Sequence, residues 1–247
     1  MDIMKTTASK TAYSMFDGSG IMLLEYAKAG YQCYCFNADE GNHGEYFIKM
    51  KHENLHYVNI WIDENFIENI SKMGIPEPDI VFGFPDCTMF AQSGSKHIRS
   101  DNDISVALKN AIMVERVGNY FGVPWMAENP VGKLSTLWRK PDFYFNPRDF
   151  GNYLSESDGS FHPKMPLKDG YTKKTAIWYG NGFVEPERKP LRSDEGETYF
   201  WGWRWLGGKS TKTKQLRSLT PRGFARAVFL ANDRAINRTT LNRVLPD

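Results

Sequence analysis

The chain has 247 residues, 41% hydrophobic and 24% charged, a balance that excludes wholesale disorder and fits one large domain, or one α/β domain with an appendage. Cys33, Cys35 and Cys87 are too few for a disulfide framework or a four-cysteine zinc site. A reducing, cytoplasmic setting is the simplest expectation. No apolar run reaches the roughly 18 residues of a membrane span, and the polar Met1–Ala12 stretch lacks the apolar core of a signal peptide, so no membrane partner is expected.

Thr11–Phe16 is a short β-prone run that stops at Asp17-Gly18-Ser19-Gly20. Ile21–Ala29 has helical composition and ends at Gly30. Tyr31–Phe36 and Tyr57–Ile62 read as further strands, with Phe66–Lys72 a helix that ends before Gly74. Asp79–Phe84 is a buried-type strand, Ile104–Tyr120 an amphipathic helix and Val123–Ala127 the next strand. This alternation predicts an α/β fold built on a doubly wound, mostly parallel sheet. After residue 133 the rhythm breaks. Residues 135–215 are rich in Gly, Pro, Lys and aromatics, with short strand candidates such as Ala176–Tyr179. Pro221–Asp233 returns to a helix pattern, with Pro221 suited to the first turn, and only a polar tail is evident after Asn232.

The charge is split in the same place. Residues 1–132 carry 10 Lys+Arg against 17 Asp+Glu, a net of −7, and residues 133–247 carry 21 against 12, a net of +9. A basic half joined to an acidic half suggests that the second faces a polyanion.

Three features fall at predicted strand ends, where open α/β sheets bind ligands. The first is Phe16-Asp17-Gly18-Ser19-Gly20, a glycine turn that opens a helix N-terminus; its third fingerprint glycine is replaced by Leu23. Acidic Asp39 and Glu40 follow at the distance expected of a ribose-gripping residue. The second is Phe84-Pro85-Asp86-Cys87-Thr88, which sets a cysteine, a soft nucleophile, at the mouth of the site; Asp86 beside it would oppose the thiolate if it turned inward. Cys33 and Cys35, inside a strand, are expected in the core. The Gly- and Ser-bearing run Ala91–Asp103 reads as a loop able to close over a substrate. The third is Ala127-Glu128-Asn129-Pro130, with a carboxylic acid at the same rim. His43, His52, His56, His97 and His162 have no metal-ligand spacing, and no metal is expected.

In this order, and with Ala127–Gly132, Lys173–Gly180 and Arg217–Arg226 following, the chain resembles the DNA (cytosine-5) methyltransferase family, most of all its small phage-borne members, over about residues 11–232. The resemblance implies a Rossmann-like S-adenosylmethionine-dependent methyltransferase fold with a small irregular target-recognition insert. Residues 1–132 would form the cofactor-binding and catalytic domain and 133–215 the basic DNA-facing insert. Residues 216–247 would form a C-terminal helix returning to the catalytic domain. The implied partner is double-stranded DNA, on a chain expected to be monomeric in the cytoplasm of a bacterial host. Cys87 would add to C6 of a flipped-out cytosine, Glu128 would hydrogen-bond its N3 edge, and Lys173 would hold a phosphate or the cytosine O2. Phe16, Asp17, Gly18, Gly20, Asn37 or Asp39, Asn59, Ile60 and Pro85 would surround the cofactor. Ser93, Lys96, Arg99, Lys209, Lys212, Lys214 and Arg217 would meet DNA. Trp201, Trp203 and Trp205, beside that lysine run, could stack on bases but are expected to pack a small core.

The chain departs from the family in three respects. Pro-Pro-Cys becomes Pro85-Asp86-Cys87, the Gln-x-Arg-x-Arg strand is matched at best by Tyr171-Thr172-Lys173-Lys174-Thr175, and the family's pocket-closing terminal segment is not evident. These keep two alternatives open: a non-catalytic DNA-binding relative, and a cytosine-modifying enzyme acting on RNA or a nucleotide.

Overall fold

The computed structural model describes residues 9–38, 46–87, 90, 100–208 and 210–244, the stretch 234–244 as backbone alone. Strands β1 (Thr11–Met15), β2 (Gln32–Asn37), β3 (Leu55–Asn59), β4 (Ile80–Gly83), β5 (Trp125–Pro130), β6 (Phe143–Phe145) and β7 (Thr175–Gly180) form one seven-stranded sheet in the order β3-β2-β1-β4-β5-β7-β6. The pairs among β1 to β5 are parallel. β7 runs antiparallel to both β5 and β6. The predicted α/β class and mostly parallel, Rossmann-like sheet are therefore what the chain forms.

Helices cover both faces. α1 (Leu24–Lys28) and α7 (Arg222–Val244) pack one side, where Ala12, Ile80, Phe82 and Ile177 meet Met22, Tyr26, Phe224 and Val228. α2 (Phe66–Lys72) and α3 (Asp101–Phe121) pack the other, where Tyr13, Met15, Val81, Trp125 and Trp178 meet Phe66, Ile70, Val114 and Val117. Successive strand residues thus serve opposite cores, as the two-residue period requires. α3 starts where the Ser100 hydroxyl accepts from Asp103 N at 3.1 Å and stops at Gly122, whose φ of 63° is left-handed.

Strand β7 is fixed on β5 by a stack of indoles. Trp138 lies between Trp125 and Trp178, with centroids 6.3 and 5.5 Å away, and Trp178 Nε1 donates to the Arg139 carbonyl at 2.8 Å. This pairing explains two differences from the sequence reading. β5 does not stop at Ala127: its ladder with β7 carries it through Glu128 and Asn129 to Pro130. Both β6 and β7 come from residues 133–215, so that stretch contributes two strands to the main sheet. Elsewhere β3 begins at Leu55, two residues before its predicted start. α1 is shorter than Ile21–Ala29, and the backbone of α7 continues beyond Asp233 to Val244. Two unpredicted short helices, α5 (Trp201–Arg204) and α6 (Thr211–Ser218), lie between β7 and α7; α4 (Leu134–Leu137) follows β5.

Candidate active site

Strand β1 lies between β2 and β4, so the chain reverses its strand order there, and the crevice outside the strand ends is the ligand site of such sheets. The carboxyl ends of β1 to β5 bring Phe16–Gly20, Asn37, Asn59, Pro85–Cys87 and Glu128 to one rim. Antiparallel β7 begins at that rim and brings Lys173 to it.

The glycine turn is tightly built. Phe16 and Gly20 have left-handed φ values of 57° and 71°. The Asp17 carboxylate points inward: Oδ1 accepts from Ser19 N at 2.8 Å, Ser19 Oγ at 3.0 Å and Gly20 N at 2.9 Å, and Oδ2 accepts from Ser14 Oγ at 2.8 Å. Asp17 therefore shapes the turn; none of these bonds leaves it facing a ligand. A Cβ added at Gly18 would overlap three atoms of the Tyr46 ring, so that ring packs directly against the turn. Asn37 Nδ2 donates to the Tyr46 hydroxyl at 2.8 Å. The following residues stay on the turn: Met50 N donates to Ser19 O at 2.8 Å, and the Tyr57 hydroxyl donates to Ser19 O and Met50 O. Ile60 N donates to Asn37 O at 3.0 Å, and Asn59 is exposed at the end of β3. Asp39 lies outside the described residues.

The β4–β5 side is organised by Asn129, which is buried and donates through Nδ2 to the Pro85 carbonyl at 2.9 Å. Phe90 N donates to Cys87 O, and Lys133 N to the carbonyl of fully buried Phe90, so the chain leaving Cys87 is pinned to the start of α4. Burial pushes the partly buried Cys87 thiol above its ordinary value; Lys173 opposes this, and Asp86 and Glu128 add to it. Burial also raises the Glu128 carboxyl, again opposed by Lys173. Glu128 Oε1 and Asn129 Oδ1 are buried with no hydrogen-bond partner among the described residues. Lys173 donates to the Arg217 carbonyl at 3.1 Å, with its Nζ 5.7 Å from the Phe200 ring centroid. One cation thus acts on both the thiol and the acid. Asp86 itself is exposed.

Of the residues expected to meet DNA, Lys212 and Lys214 are exposed on α6. Lys212 stands 3.8 Å from the Phe47 ring centroid. The Arg217 guanidinium is committed to backbone: Nε donates to Gly202 O at 2.9 Å and Nη2 to Leu206 O, tying α6 to α5. Ser93, Lys96, Arg99 and Lys209 lie outside the described residues. Trp201 is fully buried, as expected of a packing residue, whereas Trp203 is 68% and Trp205 43% exposed. Arg222 and Arg226 are anchors: Arg222 binds buried Asp169 at 2.8 Å and Arg226 binds Asp158 at 2.6 Å, holding the latter carboxyl well below its usual range. The sequence reading missed Tyr46 and the Asn129 clamp. No spacing rule connects Tyr46 to Gly18, but Asn129 already stood beside Glu128 at the predicted strand end.

Among the described residues no helix is long and apolar enough to cross a membrane, and no group of three His, Cys, Asp or Glu could hold a metal ion.

No protein-family model matches the chain, and no curated protein matches it. Among solved structures it is similar to a protein described as a candidate DNA modification methyltransferase encoded within an E. coli prophage, at 15% identity and a TM-score of 0.42, over 70% of this chain and 46% of that one. It is also similar to the Bordetella bronchiseptica enzyme WbmH, solved with NAD+, at 17% identity and a TM-score of 0.25, over 46% of this chain and 33% of that one. The chain spans less than half the length of either, and neither likeness is close enough to assign an activity.

Proposed function

We propose that the protein transfers a methyl group from S-adenosylmethionine to C5 of cytosine in double-stranded DNA, through a covalent Cys87 adduct with a flipped-out base. The observation that carries this reading is the meeting of Cys87, Glu128 and Lys173 at one rim, with Glu128 Oε1 buried and unpaired. A buried carboxyl that holds its proton more tightly than usual suits a hydrogen-bond donor to cytosine N3. Cys87 gives up its thiol proton to water and its thiolate forms a bond to C6, the ring electrons moving toward C5 while Glu128 stabilises the charge building at N3. When bound, S-adenosylmethionine would supply an electrophilic methyl group to C5 and would leave as S-adenosylhomocysteine. The C5 proton then leaves to water, and Cys87 is expelled with the S–C6 electron pair, restoring the aromatic ring. Lys173 holds a phosphate or the cytosine O2 as a point charge.

The residues at the other end of the rim fit an adenosyl cofactor. The glycine turn presents the surface against which the Tyr46 ring now packs, and Asn37 and Asn59 end their strands beside it. Gly18, Gly20, Phe16 and Pro85 would line the slot, with Asn37 or Asp39 at the ribose, Asn59 and Ile60 at the adenine, and Asp17 supporting from behind. The ring of Tyr46 must move for this slot to fill. The division of labour follows the charge split: 1–132 for cofactor and chemistry, 133–215 for DNA, and 216–247 returning to the catalytic domain.

The test is trapping. Incubated with the cofactor and duplex DNA containing 5-fluorocytosine, the protein is expected to form an adduct that survives denaturation, absent in Cys87→Ala; mass spectrometry of ordinary DNA should find 5-methylcytosine. Absence of both from the native protein refutes the reading. The raised Cys87 thiol favours one alternative, a non-catalytic DNA-binding relative, which predicts DNA binding without adduct or product.

A further inference from the structure

Thr198–Gly223 contains six Lys or Arg and no Asp or Glu. Two of the six are spent internally, Arg217 on the carbonyls of α5 and its following turn, and Arg222 on Asp169. Arg204, Lys212 and Lys214 remain exposed. Among them stands Trp203, 68% exposed on a segment whose neighbour Trp201 is fully buried. A Trp left in water forfeits most of what its burial would contribute, and tryptophan is among the side chains most often highly buried. Its inner edge is held: Phe200 meets Trp203 edge-to-face at 5.6 Å. Phe200 also receives Lys173, 5.7 Å from its centroid, the cation that acts on Cys87 and Glu128. Phe200 therefore contacts both Trp203 and Lys173. Arg204 adds a guanidinium 4.5 Å over Tyr199 and 5.3 Å over Trp205.

A held but outward-facing indole among exposed cations is the composition of a base-stacking surface, in which cations follow phosphates and the ring takes a base face. We infer that Trp203 is a DNA-contacting residue that stacks on a base beside the extruded cytosine, while Lys212 and Lys214 take the flanking phosphates. This rests on the proposed function for the identity of the nucleic acid. The two kinds of contact differ in salt dependence. Stacking releases no counterions, whereas each lost phosphate contact lowers the slope of log K against log[salt] by about 1.

The experiment measures binding of a fluorescein-labelled mixed-sequence DNA duplex by anisotropy at several salt concentrations. Trp203→Ala should weaken binding at least about fivefold with an unchanged slope, and Trp203→Phe should recover most of it. Lys212→Ala and Lys214→Ala should each flatten the slope. A Trp203→Ala affinity within twofold of the native protein, or a loss not recovered by Phe, overturns the inference. If that result comes from a protein that still binds DNA and traps 5-fluorocytosine, only the stacking role has failed. If the native protein binds no DNA, the proposed function has failed with it.

Discussion

At the β1–β2 end of the rim, Asp17 accepts four hydrogen bonds, three from its own turn and one from Ser14 of β1, and Asn37 is joined to Tyr46. At the β5 end, Glu128 Oε1 and Asn129 Oδ1 are buried with nothing to accept from among the described residues. An unpaired buried polar atom costs about 1–3 kcal/mol, so the second end carries a cost that the first avoids. That asymmetry is what a site of two compartments would show if one is filled by its own chain and the other is held ready for a polar ring edge. Perturbed, unsatisfied groups concentrate where chemistry happens.

The largest expected effect breaks the β5 end. Glu128→Gln keeps the shape but removes the carboxyl proposed to donate to cytosine N3, and should lower kcat by roughly 10²- to 10⁴-fold with little change in DNA affinity. The same substitution has a signature in stability. Because burial raises the folded carboxyl, the folded state binds this proton more readily than the unfolded chain. The contribution is whole below the ordinary carboxylate value and is lost as pH rises through the raised one. Urea unfolding across that window should fall with pH in the native protein and flatten in Glu128→Gln. An unchanged slope would mean that Glu128 is not the buried acid described.

At the opposite end the expected loss is of fold. Asp17→Ala strips a buried acceptor from Ser14, Ser19 and Gly20, and should destabilise the protein by about 2–4 kcal/mol in urea unfolding. Were Asp17 chiefly a cofactor contact, the variant would lose cofactor affinity at unchanged stability.

This contrast marks how far the sequence could be read. Hydrophobic period and Gly/Pro punctuation located β1, β4, α2 and α3, and α2 matches its predicted Phe66–Lys72. These are local signals. The extension of β5 through Glu128 depends on β7, far along the chain, and β6 is a three-residue strand with no period to detect. Residue types at the strand ends pointed to the rim, because strand ends in parallel sheets converge. Directions were not legible: nothing local says that Asp17 turns inward, that Arg217 caps carbonyls, or that Trp201 is buried while Trp203 is not. Tyr46 was invisible because its partners, Gly18 and Asn37, are joined to it only by the fold.

The smallest effect tests whether the filled end is a closed door or a finished wall. With its ring on Gly18, Tyr46 competes with any ligand for the glycine turn, and a site open for only a fraction of the time binds more weakly by that fraction. Tyr46→Phe gives up the bond from Asn37, worth about 1 kcal/mol, which should tighten binding of S-adenosylmethionine by up to about fivefold in calorimetry. Tyr46→Ala removes the ring as well and should tighten it further. The segment is also held from α6: Phe47 N donates to Gln215 Oε1 at 2.8 Å, and Lys212 sits over the Phe47 ring. Lys212→Ala should therefore loosen the same segment and shift cofactor affinity in the same direction by less, since it removes one of several ties. Weaker cofactor binding in both Tyr46 variants would reverse the picture. Tyr46 would then be a wall on which the cofactor stacks, and the two ends of the rim would differ in occupancy but not in readiness.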